Sequence, residues 1–541
     1  MLPHSPRPTD SLAETDPSAP FIKTATSTIP RRYGVILGLA TGSIAVATGM
    51  LVASFGDNTT PIDAVGSSFI DRAPTWLKEV AITLFATNNK TALRVGIWIV
   101  LLLAASLLGV ASIKKTAPLV TGFVVFSVIG MGAAIERPNS NISGTNFFGV
   151  LAPLVGGGVG IAATMYLATM LHRHTTTLNT PSESRVPLGW DRRRFLQTAS
   201  AMGAVAVGMG TIGRVREVRR IDEVRSQIPL TLPPVAPEEA VTFVETGFHP
   251  TDSFVTPTKS FYRIDTALSF PTINLEKWKV RVHGMVDTPI ELTYNDLTSL
   301  PQVERMITLS CVSNPVGGRY IGNAIWQGVR LRDVLNRAGV RSDAEQVFSR
   351  SADGWTCGFP VTAALDDRDA LIAIGMNGEP LSLKHGFPAR LVVPGLYGYV
   401  SATKWLTEIE LVTWDKRGYW IPRGWSQIAP IKTQSRIDVP RSDTGSPAGT
   451  ILIAGVAWAQ HVGIAKVEVR IDDGAWQIAT LQDDVSDDTW RQWTLSWDAT
   501  PGDHVLQVRA TDKSGYTQTD IRTGVAPDGA TGWHTRRIRI S

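Results

Sequence analysis

The chain has 541 residues, with 52 Lys and Arg against 48 Asp and Glu and a formal charge of +4. That excess is small and dispersed, so it makes no case for a nucleic-acid partner, and the length suffices for roughly two or three domains. With 2 cysteines the chain is not a disulfide scaffold, and no Cys/His cluster has zinc spacing.

Residues 1–30 read as a disordered cytoplasmic N-terminus. Apolar sequence then dominates the first third. Gly34–Phe55, Ala92–Ile113, Ala117–Ala134 and Phe148–Leu171 are long windows nearly free of charge, close to what a helix needs to cross hydrocarbon. They predict a four-helix transmembrane domain over 31–175, with lipid as its partner. Arg31 and Arg32, Lys114 and Lys115, and Arg173, Arg185 and a triple arginine flank these windows so that the positive-inside rule puts the N-terminus in the cytoplasm. The loop Gly56–Thr91 then lies outside despite Arg72, Lys78 and Lys90, and its Pro74–Phe85 stretch is mildly amphipathic. Within the windows histidine occurs only beyond their edge, at His172 and His174, which leaves a haem between helices without ligands. No intramembrane acid–base pair points to ion transport.

Residues 176–243 form the next unit. Asp191-Arg-Arg-Arg-Phe-Leu-Gln197 precedes the weakly apolar Thr198–Ile212, a predicted fifth span. Two arginines, one residue and Phe-Leu resemble a twin-arginine export signal; the alternative is an ordinary basic stop before the helix. Both send the following chain outward. Arg214–Arg225 is charged and helix-permissive, and the proline-rich Pro229–Pro237 reads as a stiff spacer. The one GxGxxG match, Gly208–Gly213, ends the fifth span instead of joining a strand to a helix, and there is no P-loop, so nicotinamide and nucleoside triphosphates are poorly supported.

From 244 to 425 the order of elements is mixed. Trp278–Val282 alternates as a strand, Gly284–Asp287 turns and Leu292–Leu300 is helix-like, which argues α+β and against a doubly wound sheet. Three motifs stand out: Phe261-Tyr262-Arg263-Ile264-Asp265; Met306–Gly318 around Cys311; and His385-Gly-Phe-Pro-Ala-Arg390 leading to Tyr397-Gly-Tyr-Val-Ser401-Ala-Thr403-Lys404. Cys311 follows the strand-like Ile307–Leu309 and opens what reads as a mobile, permissive turn with Asn314, Pro315, Gly317 and Gly318. A lone buried cysteine is otherwise a small core residue.

In that order and spacing, these motifs resemble the sulfite-oxidase superfamily of molybdopterin enzymes, and in particular its membrane-anchored actinobacterial members. The resemblance implies a molybdenum–molybdopterin cofactor with Cys311 as the thiolate ligand. It places Phe261, Tyr262, Arg263, His385, Arg390, Ser401, Thr403 and Lys404 against the pterin and its phosphate, with Ser351 and Asp353 in a loop that also approaches it. It sets Tyr419 beside the metal, with Arg423 as a possible anion ligand, and gives Cys311, Tyr419 and Arg263 the catalytic roles. From the residues alone, Arg263 is equally a surface ion pair, His385 a satisfied core imidazole, Lys404 a solvated strand end, and Trp420–Trp425 interface packing. Two departures concern specificity: Ile264-Asp265 stands where many members carry Asn-His, and Pro315–Gly318 where sulfite-oxidising members carry an arginine. A Cys311–Cys357 disulfide would abolish ligation.

Residues 426–541 give short strands at even spacing, Thr450–Trp458, Ile464–Ile471, Trp476–Leu481, Trp490–Trp497, His504–Arg509 and Arg536–Ile540, with turns at Asp472–Gly474, Pro501-Gly502 and Lys513–Gly515. They predict a β-sandwich resembling the immunoglobulin-like dimerisation module of the same superfamily, which implies a homodimer. The expected whole is multi-domain: an α-helical membrane bundle, a mixed α+β molybdopterin domain and an immunoglobulin-like β-sandwich. The implied activity is oxygen-atom transfer on a small-molecule substrate outside the cytoplasm, with the metal cycling between Mo(VI) and Mo(IV). An unidentified electron carrier follows from the absence of CxxCH and flavin motifs. The alternatives are a sulfoxide reductase on the same cofactor and a cofactor-free cell-surface binding protein.

Overall fold

The computed structural model describes residues 29–56, 60–74, 77, 80, 84, 89–136, 147–177, 190–243, 253–441, 445 and 447–541. The expectations for residues 1–28, for most of the amphipathic stretch and for the start of the catalytic domain near Val244 lie outside the described residues.

Among the described residues the chain opens with helices α1 (Arg31–Ala53), α2 (Pro61–Arg72), α3 (Asn89–Ala111), α4 (Ala117–Ile135), α5 (Phe147–Thr177) and α6 (Trp190–Ser226). All but α2 are long and apolar enough to cross a membrane. Helix α1 is central and packs against α3, α5 and α6. Its contact with α3 is made by backbone rather than side chains. A Cβ on Gly38 would lie 1.8 Å from the Ala105 carbonyl oxygen, and one on Gly109 would lie 2.1 Å from that of Gly34. Small residues at four-residue spacing permit this approach, so the helices gain close dispersion contacts along it. The helix α2 was not anticipated; Thr60 caps it by accepting from the Asp63 N–H at 3.2 Å. The fifth span and the charged stretch behind it, read separately in the sequence, form the single 37-residue helix α6.

The catalytic domain holds two sheets. One has the order β2-β1-β10-β5-β6, built from β1 (Lys279–Gly284), β2 (Ile290–Thr293), β5 (Gln346–Ser351), β6 (Thr356–Pro360) and β10 (Leu406–Val412); β1 and β10 run parallel and the other pairs antiparallel. The other runs β3-β4-β7-β8, from β3 (Val303–Ser310), β4 (Ile321–Arg330), β7 (Leu371–Met376) and β8 (Glu379–Pro380), with β9 (Arg390–Val392) on β7. Helix α7 (Tyr294–Ser299) begins on a reciprocal cap between Thr293 and Asp296. This is the mixed order expected, with one core built around Trp326, Phe387, Trp405 and Leu411.

Beyond it, two four-stranded antiparallel sheets face each other across Ile437, Ile453, Val467, Trp493 and Leu506. Their orders are β11-β12-β16-β15 and β14-β13-β17-β18, from β11 (Gln434–Val439), β12 (Gly449–Trp458), β13 (Ile464–Ile471), β14 (Gln477–Ile478), β15 (Thr480–Leu481), β16 (Arg491–Ala499), β17 (Gly502–Asp512) and β18 (His534–Ile540). The single strand expected over Trp476–Leu481 is two short ones that cross from one sheet to the other. Strand β11 was not anticipated.

Candidate active site

Cys311 immediately follows β3. That strand is paired along both edges: β4 takes one, and the C-terminal module takes the other, where Thr308 N–H donates to the Asp488 carbonyl at 2.9 Å and its hydroxyl accepts from Trp490 N–H at 2.8 Å. The turn behind Cys311 is not the loose one expected. Cys311 N–H donates to the Tyr320 carbonyl at 2.9 Å, Gly318 N–H to Pro315 at 2.8 Å, and Tyr320 N–H to the Asn314 side chain at 2.8 Å. Asn314 is buried, so its carboxamide takes the place of a missing ladder partner and braces the loop. The thiol is 7% exposed and free, as is that of Cys357, so the two do not form a disulfide. Cys357 instead touches the Thr403 hydroxyl at 3.1 Å and the Ser349 hydroxyl at 3.4 Å.

Around Cys311 stand Tyr262, Arg390, Tyr397 and Lys404, close enough to interact electrostatically with it or with one another. Burial pushes the Cys311 thiol above its ordinary range, while hydrogen bonds from Ser313 and the charge of Lys404 oppose that shift. The sulfur therefore keeps its proton until a cation competes for it. Burial, reinforced by the charge of Cys311, also raises Tyr262.

Arg390 begins β9 and is buried. Its guanidinium makes two long bonds, to the Leu391 and His385 carbonyls at 3.4 Å each, and stacks on Trp326 at 4.8 Å. Among the described residues no carboxylate pairs with it, and burial lowers it to about 10. His385 lies edge-on to Phe261 at 5.9 Å and donates from Nε2 to the Thr258 carbonyl at 3.0 Å. Burial and the charge of Arg390 lower it to about 4, so it is neutral at physiological pH. Phe261 stacks on Tyr262 at 5.2 Å and meets Trp326 edge-on at 5.7 Å. Gly386, at φ +110, allows the turn after His385 to press on Lys404, where a Cβ would lie 3.1 Å from the Lys404 Cα.

Lys404 donates to Asp265 at 2.7 Å; burial lowers it to about 8 against the pull of that carboxylate. Arg263 grips the same carboxylate with Nε at 2.7 Å and a terminal nitrogen at 3.1 Å. Burial alone would raise Asp265, but Lys404, Lys90 and Arg263 hold it well below the usual carboxylate range.

The remaining predicted residues stand elsewhere or are already paired. The Ser401 hydroxyl donates to the Tyr397 carbonyl at 3.1 Å, Thr403 meets Ser349 at 2.7 Å, and Ser351 and Asp353 brace their own turn. The Tyr419 hydroxyl, which the resemblance sets beside the metal, donates to Asp71 of α2, with Arg423 stacked 3.8 Å over its ring. Asp353, Tyr419 and Arg423 line a cavity of about 440 Å³ whose far wall is Asp71, Arg72 and Glu136 of the helical region. Four participants were missed: Trp326, Tyr397, Asp265 as an ion-pair hub, and Lys90. Lys90 did leave a signal, as a cation in a loop that the charge rule places outside.

The cluster fits a pterin phosphate and a soft metal. Arg390 is a buried cation without a carboxylate, Lys404 adds a second, the Phe261–Tyr262 pair offers ring faces, and Cys311 supplies a thiol at the end of a rigid strand.

Residues 267–420 match the family model described as an oxidoreductase molybdopterin binding domain. The match begins just past Phe261–Asp265 and takes in Cys311, His385, Arg390 and Lys404. An uncharacterized oxidoreductase of Bacillus subtilis, YuiH, is 37% identical over 152 residues, which cover 28% of this chain and 74% of that protein. Human mitochondrial sulfite oxidase is 28% identical over 349 residues, covering 54% of this chain and 63% of the human one. The crystal structure of the sulfane dehydrogenase SoxCD from Paracoccus pantotrophus superposes with a TM-score of 0.46 at 23% identity, over 59% of this chain and 92% of that one. The chain thus belongs to the sulfite-oxidase superfamily and is an oxidoreductase whose cofactor is molybdenum bound to molybdopterin.

Proposed function

We propose that this is a multi-pass membrane oxidoreductase whose catalytic domain works outside the cytoplasm, moving an oxygen atom to or from a small substrate. The observation that carries the reading is Cys311, just past β3, near Lys404, whose side chain is only 11% exposed, and Arg390, which has no carboxylate partner among the described residues. In it, Cys311 ligates the metal, Arg390 and Lys404 hold the pterin phosphate, and Phe261, Tyr262 and His385 pack on the pterin. When bound, molybdenum supplies the two-electron chemistry that oxygen transfer needs. The chain's own part is to orient that group, keep His385 neutral with Nδ1 left as an acceptor, and exclude water behind Trp326.

Five helices of sufficient length and apolarity support the membrane reading. Topology is supported by Lys90, whose end of α3 lies against the catalytic domain, while Lys114 and Lys115 follow its other end about 33 Å away. The C-terminal sandwich we read as immunoglobulin-like, a buttress for β3 and a surface on which two copies could pair. Electrons pass to a separate carrier.

The test is the metal and pterin content of protein made in a host that supplies the cofactor. We expect both in wild type, and loss of metal-centre activity toward sulfite or methionine sulfoxide in Cys311→Ser, assayed with artificial electron carriers. Full activity in Cys311→Ser would exclude the sulfur as ligand. Whichever substrate turns over decides between the sulfite-oxidase-like reading and sulfoxide reduction. Substituting Arg192 and Arg193 with Lys is expected to trap the catalytic domain inside, as reported by protease protection; normal export would retire the twin-arginine reading.

A further inference from the structure

The helical region touches the catalytic domain at the anion-binding cluster itself. Lys90, in the first turn of α3, donates to Asp265 at 2.5 Å and to the Ala267 carbonyl at 2.6 Å. Arg94, one turn on, donates to the Leu268 carbonyl at 2.8 Å and pairs with Asp63 at 2.9 Å. The Asp265 side chain is 6% exposed, and its two oxygens are divided: Oδ1 receives Lys90 and Arg263, Oδ2 receives Lys404 and Arg263. A carboxylate gripped from both ends cannot turn. Lys90 thereby sets which oxygen Lys404 finds, and where the Lys404 ammonium stands.

Two further facts favour a working role over an accidental contact. A cation in the first turn of a helix opposes the helix dipole, so α3 gains nothing from Lys90 at that position. And Lys90, Arg263 and Lys404 surround the buried carboxylate Asp265, with Arg390 near Lys404 and Asp353 near Lys90; among the described residues that is four positive charges against two negative, an excess that calls for an anion from outside the chain.

We propose that the helical region completes the anion seat of the catalytic domain: Lys90 is a positioning residue that acts through Asp265 on Lys404 and so on retention of the anionic cofactor. This rests on the reading of the site given above. Four helices beyond a single anchor then have a task, which is to deliver this side chain to a fixed point of the catalytic face.

The full-length protein, purified in detergent from a cofactor-supplying host, tests this through molybdenum content by elemental analysis and pterin content by fluorescence after oxidation. In Lys90→Met, occupancy is expected to fall roughly three- to tenfold, the effect of one charge-assisted hydrogen bond. Lys90→Arg, which keeps the charge and reaches the same carboxylate, should restore it. Arg94→Met removes a contact between the same two parts without touching Asp265 and should leave occupancy near wild type. Should Lys90→Met not fold, Lys90→Gln keeps a donor without the charge and is read in the same way. Equal occupancy in Lys90→Met and wild type overturns the proposal, as does a parallel loss in Arg94→Met, which would make the contact mere docking. Wild type that itself carries neither metal nor pterin instead overturns the reading of the site on which the proposal stands.

Discussion

His385 and His534 carry the clearest pH signature at the scale of single residues. Burial and nearby arginines lower both to about 4; His534 Nδ1 accepts from Ile437 N–H at 2.9 Å, which favours the neutral ring, while the bond from His385 Nε2 to the Thr258 carbonyl pulls the other way without overcoming burial. The folded state therefore binds fewer protons than the unfolded one between pH about 4 and 6.5. Stability is fully present above 6.5, is lost as pH falls through that window, and flattens below about 4. Each histidine contributes at most ~3 kcal/mol to this slope. A melting-temperature series in detergent should show the decline, and the double variant His385→Gln, His534→Gln should be flatter; a slope unchanged by the substitutions would refute the assignment.

Among the elements, the helical bundle is most sensitive where α1 meets α3. Gly109→Val places side-chain atoms within reach of the Gly34 carbonyl oxygen, so the helices must separate. Overpacking of this kind costs about 1–3 kcal/mol or more. Thermal aggregation of the detergent-solubilised protein should begin at a lower temperature, whereas Gly132→Ala on α4, where a Cβ meets nothing within 4 Å, should leave it unchanged. Equal behaviour of the two variants would show that the close approach is not what holds the helices.

For the molecule as a whole, Trp490 is the main bolt between the C-terminal module and the catalytic domain. It is 3% exposed, its indole N–H donates to the Phe254 carbonyl at 3.0 Å, and its backbone N–H reaches Thr308 on the strand that leads into Cys311. Trp490→Ala should cost about 3–5 kcal/mol. It should also split the single unfolding transition expected of the two β-rich domains into two in calorimetry; a single, unshifted transition would contradict the coupling. The module then serves the site by clamping β3, which is why that strand is paired along both edges.

The long apolar helices, the α+β order, the sandwich strands and the Cys311, His385–Arg390 and Tyr397–Lys404 motifs were legible in the sequence, because apolar length, strand alternation and short motifs are local properties of a chain. The Cys311 turn was misjudged because glycines and a proline suggest freedom, while Asn314 supplies bonds that only the folded loop reveals. The bond from Tyr419 was not legible for a related reason: its partner, Asp71, lies 348 positions away on a helix the sequence did not announce. Tertiary structure alone decided that Arg390 has no carboxylate partner among the described residues and that Asp265 has three cations. It also decided that one of these, Lys90, comes from the apolar helix α3. Charge pairing at such separations depends on how domains meet, and no local pattern encodes that.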